Sequence, residues 1–185
     1  MLRSVNRYWS VQCHRASGHT PGNPTKLRET GRSTRIAETN HLSIDANLVH
    51  RGQCLCGAVA FEAKGAPVVV AHCHCRDCQR LTGAGHSTGA MFPLDRFSVR
   101  GPVREYRLKS EAENEVTRVF CPSCGSPILG RNTAMPGFVT ISLGTLDDSS
   151  MFEPVVTLFA RNRKSWDAMD DSIATFEAQP QWRPE

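Results

Sequence analysis

The sequence predicts a mainly β fold built from short, mostly antiparallel strands, with helix only in short pieces. Two observations predict it: short alternating or β-branched runs, and turn signals of Gly, Pro and Asp between those runs. The chain has 185 residues, of which 39% are hydrophobic and 22% are charged. A chain of this length and composition is expected to form about one globular domain.

The order of the predicted elements follows from the local patterns. Residues 58–63 alternate in character, a Lys64-Gly65 turn follows, and residues 67–72 form a β-branched run, so two strands flank the turn. The other predicted strands cover residues 86–92, 97–100, 104–109, 116–120, 127–129, 138–143 and 155–159, and the predicted short helices cover residues 76–81 and 165–169.

The N-terminal part of the chain differs from the rest in composition and hydrophobic pattern. Residues 1–48 carry scattered Gly, Pro and Ser and no sustained apolar period, which predicts a poorly ordered extension before a domain over residues 49–180. Polar residues interrupt any apolar segment near the start, which argues against a secretory signal. Every apolar run is far shorter than the roughly 18 residues that a membrane helix needs, so no membrane association is expected.

The net charge of +4 is concentrated near the N-terminus. Residues 1–52 contain eight Lys and Arg against three Asp and Glu, whereas residues 53–185 contain fourteen against fifteen. The predicted domain is therefore close to neutral, which argues against a nucleic-acid partner.

Cysteines are the most informative residues of the sequence. Seven of the eight cysteines fall in three tight clusters, and Cys13 stands alone in the predicted extension. A secreted disulfide framework would need a secretory route, whereas metal-bound thiolates suit a reducing compartment. We therefore expect a cytoplasmic protein whose clustered cysteines bind metal.

Two of the clusters have the form of metal-binding knuckles. Cys54 and Cys56 make one pair, Cys121 and Cys124 make the other, and a glycine that suits a left-handed backbone directly follows each pair. Together they predict a tetrahedral four-cysteine zinc site with a structural role, because the ion would close a loop between residues 56 and 121. Spacing alone also permits either pair to combine with the third cluster.

The third cluster has three cysteines, Cys73, Cys75 and Cys78. Three protein ligands with an open fourth position distinguish catalytic zinc sites from structural ones. The alternative is a fourth protein ligand, which would make this a second structural site. The side chains weighed for that role are His72, His74, His86 and Asp95.

The three cysteine segments resemble the signature of the glutathione-dependent formaldehyde-activating family, which includes centromere protein V. The segments are G-Q-C-L-C-G-A-V-A-F-E, A-H-C-H-C-R-D-C-Q-R-L-T-G-A and F-C-P-S-C-G-S-P-I, within residues 52–128. The resemblance implies a β-tent of antiparallel sheets with zinc-ribbon-like knuckles. It also implies two zinc ions per chain: a structural ion on Cys54, Cys56, Cys121 and Cys124, and a catalytic ion on Cys73, Cys75 and Cys78.

These observations predict a zinc-dependent enzyme of the carbon–sulfur lyase type, similar to S-hydroxymethylglutathione synthase. It would form or break an adduct between a small thiol such as glutathione and a small electrophile such as formaldehyde, because zinc with three thiolates can hold a further thiol as its thiolate. One alternative is a zinc-stabilised binding module without turnover. Another is a relative of the methionine sulfoxide reductases, which would need a redox cysteine outside the clusters, and only Cys13 is spare.

Overall fold

A computed structural model describes residues 45–170 and 172–181 of the chain. Within these ranges it contains eleven strands, one α-helix and three 3-10 turns. The strands are β1 (Val49–Gln53), β2 (Ala60–Lys64), β3 (Val69–Cys73), β4 (Ser87–Pro93), β5 (Phe97–Arg100), β6 (Arg104–Lys109), β7 (Glu115–Phe120), β8 (Pro127–Asn132), β9 (Phe138–Ser142), β10 (Val156–Leu158) and β11 (Ala174–Thr175). The helix is α1 (Arg76–Thr82), and the 3-10 turns are Leu94–Arg96, Leu143–Thr145 and Ala160–Asn162.

The strands form two sheets of unequal size. The smaller sheet has the order β1-β2-β5, and the larger has the order β11-β10-β3-β4-β9-β8-β7-β6. Every pairing is antiparallel except the two made by β10, which runs parallel to both β3 and β11. The prediction of a mainly β fold with antiparallel sheets is thus confirmed, and parallel pairing is confined to one end of the larger sheet.

Three local elements differ from the sequence prediction. Strand β1 was not predicted because its buried positions are His50 and Gly52 rather than apolar residues. Strand β11 has only two residues and depends on its pairing with β10. The predicted helix over residues 165–169 is wrong, because that segment is a single turn closed by a hydrogen bond from Asp167 N to Lys164 O.

Two further expectations concern the N-terminal extension and the absence of membrane helices. Most of the predicted N-terminal extension, including Cys13, lies outside the described residues. Among the described residues, no helix has the length and apolar character needed to cross a membrane.

A single hydrophobic core draws residues from both sheets. Its fully buried side chains include Phe61 of β2, Phe92 of β4, and Ile128 and Ile141 of β8 and β9. Cys54 and Cys121 belong to the same core. The cysteine knuckles are therefore anchored where the two sheets meet.

Gly52 of β1 lies at this junction and leaves no room for a side chain. An added Cβ would collide with the ring of Phe61 and with the carbonyl oxygen of Thr145. We expect Gly52→Ala to lower the free energy of unfolding by about 3 kcal/mol, because the clash involves a buried ring and backbone. Denaturant unfolding at a fixed zinc concentration measures this. Gly137→Ala is the control, since a Cβ there meets no atom within 4 Å, and an equal loss in both variants would contradict the prediction.

Candidate metal centres

The first candidate centre is a cluster of four sulfurs that joins the two sheets. Cys54 and Cys56 lie between β1 and β2 of the smaller sheet, and Cys121 and Cys124 lie between β7 and β8 of the larger one. All four sulfurs lie within 4.8 Å of one another. The Cys54–Cys56 and Cys56–Cys121 Sγ distances are 3.5 and 3.8 Å. Sulfurs bound at about 2.3 Å to a tetrahedral zinc lie about 3.8 Å apart, so the cluster fits that ion.

Local backbone geometry shapes each of these two knuckles. Gly57 and Gly125 have φ angles of 74° and 76°, in the left-handed region that favours glycine. Their N–H groups donate to the carbonyl oxygens of Cys54 and Cys121, at 3.0 and 2.9 Å. The chain therefore turns tightly enough to aim both sulfurs of a pair at one point, as the two Cys-Gly endings predict.

Ser126 links the two knuckles. Its hydroxyl accepts a hydrogen bond from Leu55 N at 3.0 Å and lies 3.3 Å from the sulfur of Cys124, to which it can donate. Hydrogen bonds from the side chain and then the backbone of Ser126 lower the pKa of the Cys124 thiol to about 5. A sulfur held as thiolate near neutral pH is the form that binds metal.

The second candidate centre contains the sulfurs of Cys73, Cys75 and Cys78, which also lie within 4.8 Å of one another. Cys73 ends β3, Cys75 is the N-cap of α1, and Cys78 is buried in the first turn of that helix. The sulfur of Cys75 accepts a hydrogen bond from Cys78 N at 3.4 Å. The strand end and the helix start thus converge on a single point.

No fourth protein ligand completes this second cluster within the described part of the chain. No histidine, aspartate or glutamate ligand atom there lies within 4.8 Å of all three sulfurs. His72 instead contacts Thr88 through Nδ1 at 2.9 Å, and burial, followed by the nearby His86 and His74, lowers the pKa of its ring to about 4. The remaining candidates, His74, His86 and Asp95, do not join the three sulfurs either, so the described residues supply three sulfur atoms to this cluster.

The thiols of the three-sulfur cluster differ in pKa. Cys73 and Cys75, and then the guanidinium of Arg118, hold the pKa of the Cys78 thiol at about 2. Conversely, Cys75 and Cys78 raise the pKa of the Cys73 thiol. Because three thiolates this close repel one another, all three ionise together only with a cation between them. The donor set therefore fits a divalent, sulfur-binding ion.

Arg118 is a component of this centre that the sequence did not reveal. Its Nη2 donates to the sulfur of Cys78 at 3.7 Å, from β7 to α1. The side chain crosses Gly130 of β8, where an added Cβ would come within 2.8 Å of its Nη1. In the sequence, Arg118 is one polar residue of an alternating strand, and only the fold brings it to a cysteine 40 positions away.

One protein-family model matches more than half of the chain. The family model described as glutathione-dependent formaldehyde-activating enzyme matches residues 49–162, which include all seven clustered cysteines. A crystal structure of a Rhodobacter sphaeroides protein aligns with a TM-score of 0.44 and 20% identity, over 52% of this chain and 87% of the other. No curated protein matches the sequence.

Proposed function

Because the chain belongs to the glutathione-dependent formaldehyde-activating enzyme family, we propose that it is a zinc-dependent carbon–sulfur lyase-type enzyme. Its substrates would be a small thiol such as glutathione and a small electrophile such as formaldehyde. The observation that carries the proposal is the set of three sulfurs, Cys73, Cys75 and Cys78, with no fourth protein ligand atom nearby in the described residues. An open position is what separates catalytic from structural zinc.

The reaction balances without any redox partner. The thiol sulfur forms a bond to the carbonyl carbon, the π bond of the carbonyl breaks, and the carbonyl oxygen gains the proton that the thiol loses. The reverse reaction releases thiol and aldehyde. The chemistry therefore requires a means of ionising the thiol and of placing it beside the electrophile.

The three cysteines of the second centre would hold the catalytic zinc. When bound, the ion supplies a Lewis acid that favours the thiolate form of an incoming thiol. Three thiolates and a divalent ion leave a net charge near −1, and the guanidinium of Arg118 lies 3.7 Å from the sulfur of Cys78. Arg118 would offset this charge, so that an anionic substrate thiolate meets less repulsion.

The first centre would hold a structural zinc, giving two ions per chain. Cys54 and Cys56 come from the smaller sheet and Cys121 and Cys124 from the larger. The ion would fix the two sheets together and close a segment of 65 residues. Metal-binding thiolates require reduced cysteines, so we propose a reducing, cytoplasmic setting for the protein.

Exchange NMR with ¹³C-labelled formaldehyde and glutathione tests the proposal. At equilibrium, we expect the zinc-loaded protein to accelerate exchange between free formaldehyde and its thiol adduct, in a manner that saturates with glutathione. S-methylglutathione, which has no thiol, should show no sulfur adduct and no acceleration of its formation. Exchange no faster than in buffer with the same zinc concentration would contradict the proposal and favour a zinc-stabilised binding module.

A further inference from the structure

A third group of side chains that could bind a metal lies at the end of β3, and it shares no residue with either sulfur cluster. His74 follows β3 directly, His86 precedes β4, and Asp167 lies in the turn after the last 3-10 turn. One ligand atom from each lies within 4.8 Å of the other two. Because successive residues of an extended chain point to opposite faces, His74 faces away from the side on which Cys73 projects.

The imidazole of His74 is buried without a hydrogen bond. Its side chain is 0% exposed. In the described part of the chain, no contact of either ring nitrogen has the geometry of a hydrogen bond, although the backbone of Leu158 lies near the ring. Nε2 lies 3.2 Å from Oδ2 of Asp167, within ion-pair distance but without the geometry of a hydrogen bond. Buried polar atoms are almost always satisfied, so an unsatisfied imidazole that faces a carboxylate calls for a further partner.

The distances match those between ligands of one metal ion. Nδ1 of His86 lies 2.9 Å from Oδ2 of Asp167, and Nε2 of His74 lies 3.2 Å from the same oxygen. Nitrogen and oxygen ligands at about 2.1 Å from an ion lie about 3.0 Å apart in octahedral geometry and about 3.4 Å apart in tetrahedral geometry. A hydrogen bond would account for the contact between His86 and Asp167 alone. A shared ion would account for that contact and also for the one between His74 and Asp167.

The backbone holds the carboxylate of Asp167 in place. Gly85 lies against it so closely that an added Cβ would collide with the carboxylate and come within 2.6 Å of the Asp167 Cβ. Arg163 Nε donates to the carbonyl oxygen of Asp167 at 3.2 Å. Asp167 N donates to Lys164 O at 3.0 Å. The position of this carboxylate is therefore fixed by its surroundings, as a ligand requires.

We propose that His74, His86 and Asp167 form a third metal site, which binds a divalent first-row transition cation such as Zn²⁺ or Co²⁺. Two imidazoles and one carboxylate suit such ions better than Mg²⁺ or Ca²⁺, which prefer oxygen ligands throughout. With three protein ligands, the site keeps positions for water or a small ligand. This proposal does not rest on the thiol chemistry proposed above.

Titration with Co²⁺ tests the site, because the spectrum separates it from the sulfur clusters. Cobalt bound by thiolates gives intense near-ultraviolet charge-transfer bands, whereas cobalt bound by nitrogen and oxygen gives only weak visible bands. We expect one equivalent of Co²⁺ to bind, with visible bands alone, to protein that carries only two equivalents of zinc, one for each sulfur cluster. Charge-transfer bands without that component, or no saturable binding, would overturn the proposal.

Two variants of proposed ligands and one variant of a neighbouring glycine test the site. We expect Asp167→Asn and His86→Gln to weaken this cobalt binding at least about 100-fold, which exceeds the loss usual for residues outside the coordination shell. Gly85→Ala should weaken it too, because it displaces the carboxylate. Asp170→Asn, at an exposed residue three positions away, should bind as the wild type does. Unchanged binding in both ligand variants would overturn the site.

Zinc analysis of the same samples separates misfolding from ligand loss. A variant that keeps the zinc content of its sulfur clusters is folded, so its loss of cobalt binding reports the third site. If the sulfur clusters held no zinc, charge-transfer bands would arise in wild type and Asp167→Asn alike, which would count against the proposed function. The difference between those two spectra would still report the third site.

Discussion

Replacing Cys75 with serine is expected to lower the rate of adduct exchange at least 100-fold while the domain remains folded. The change removes one of the three sulfurs beside the open position, and loss of a direct ligand should exceed the roughly 10- to 100-fold effects of outer-shell changes. The fold should survive because Cys75 is the N-cap of α1, and its sulfur accepts a hydrogen bond from Cys78 N. Serine is among the best N-cap residues.

Exchange NMR and zinc analysis on the same sample test this expectation. The Cys75→Ser protein should retain the zinc of the four-sulfur centre and lose that of the three-sulfur centre. Cys13→Ser is the matched control, since Cys13 lies outside the clusters, and its rate should equal that of the wild type. Wild-type exchange in Cys75→Ser would remove the three-sulfur centre from the mechanism.

Cys121→Ser is expected to unfold the domain. Cys121 is fully buried in the core between the sheets, and its sulfur belongs to the four-sulfur cluster. Zinc binding to structural sites contributes about 10–16 kcal/mol in small zinc peptides, which is comparable with the whole stability of about 5–15 kcal/mol of a typical domain. If the ion is lost with the ligand, the three remaining sulfurs repel one another when ionised.

Far-ultraviolet circular dichroism and amide NMR dispersion in excess zinc test the loss of structure. Ser123→Ala is the control, because Ser123 is an exposed residue of the same knuckle, and we expect it to fold normally. The wild type treated with a strong chelator should resemble Cys121→Ser. A Cys121→Ser protein with a melting temperature within a few degrees of the wild type would show that the four-sulfur centre is dispensable for folding.

The sequence predicted the sulfur clusters well because ligand type and short spacing are local properties. Two cysteines one or two residues apart, followed by glycine, can form a knuckle wherever the rest of the chain goes. The alternating runs likewise predicted most strands of both sheets. Strand β1 was not predicted because the residues it buries are His50 and Gly52, which do not form an alternating hydrophobic pattern.

Contacts between residues far apart in the sequence could not be predicted from local sequence patterns. Arg118 of β7 reaches Cys78 of α1, and the Ser126 hydroxyl accepts a hydrogen bond from Leu55 N, 71 positions away. His86 was weighed as a ligand for the sulfur cluster, but it contacts Asp167 instead. Asp167 in turn lies in a segment for which a helix was predicted. Such pairings depend on strand order and register, which a single sequence does not specify.

The position of the four-sulfur cluster between the sheets also bears on the order of folding. Two of its ligands belong to the smaller sheet and two to the larger, and 65 positions separate Cys56 from Cys121. Contacts of such long sequence separation form slowly, because the loop between them must close first. We therefore expect full coordination by all four sulfurs to be a late event in folding. Zinc uptake during refolding, followed with a chelator that changes colour on binding zinc, would consequently time the pairing of the two sheets without any label on the protein.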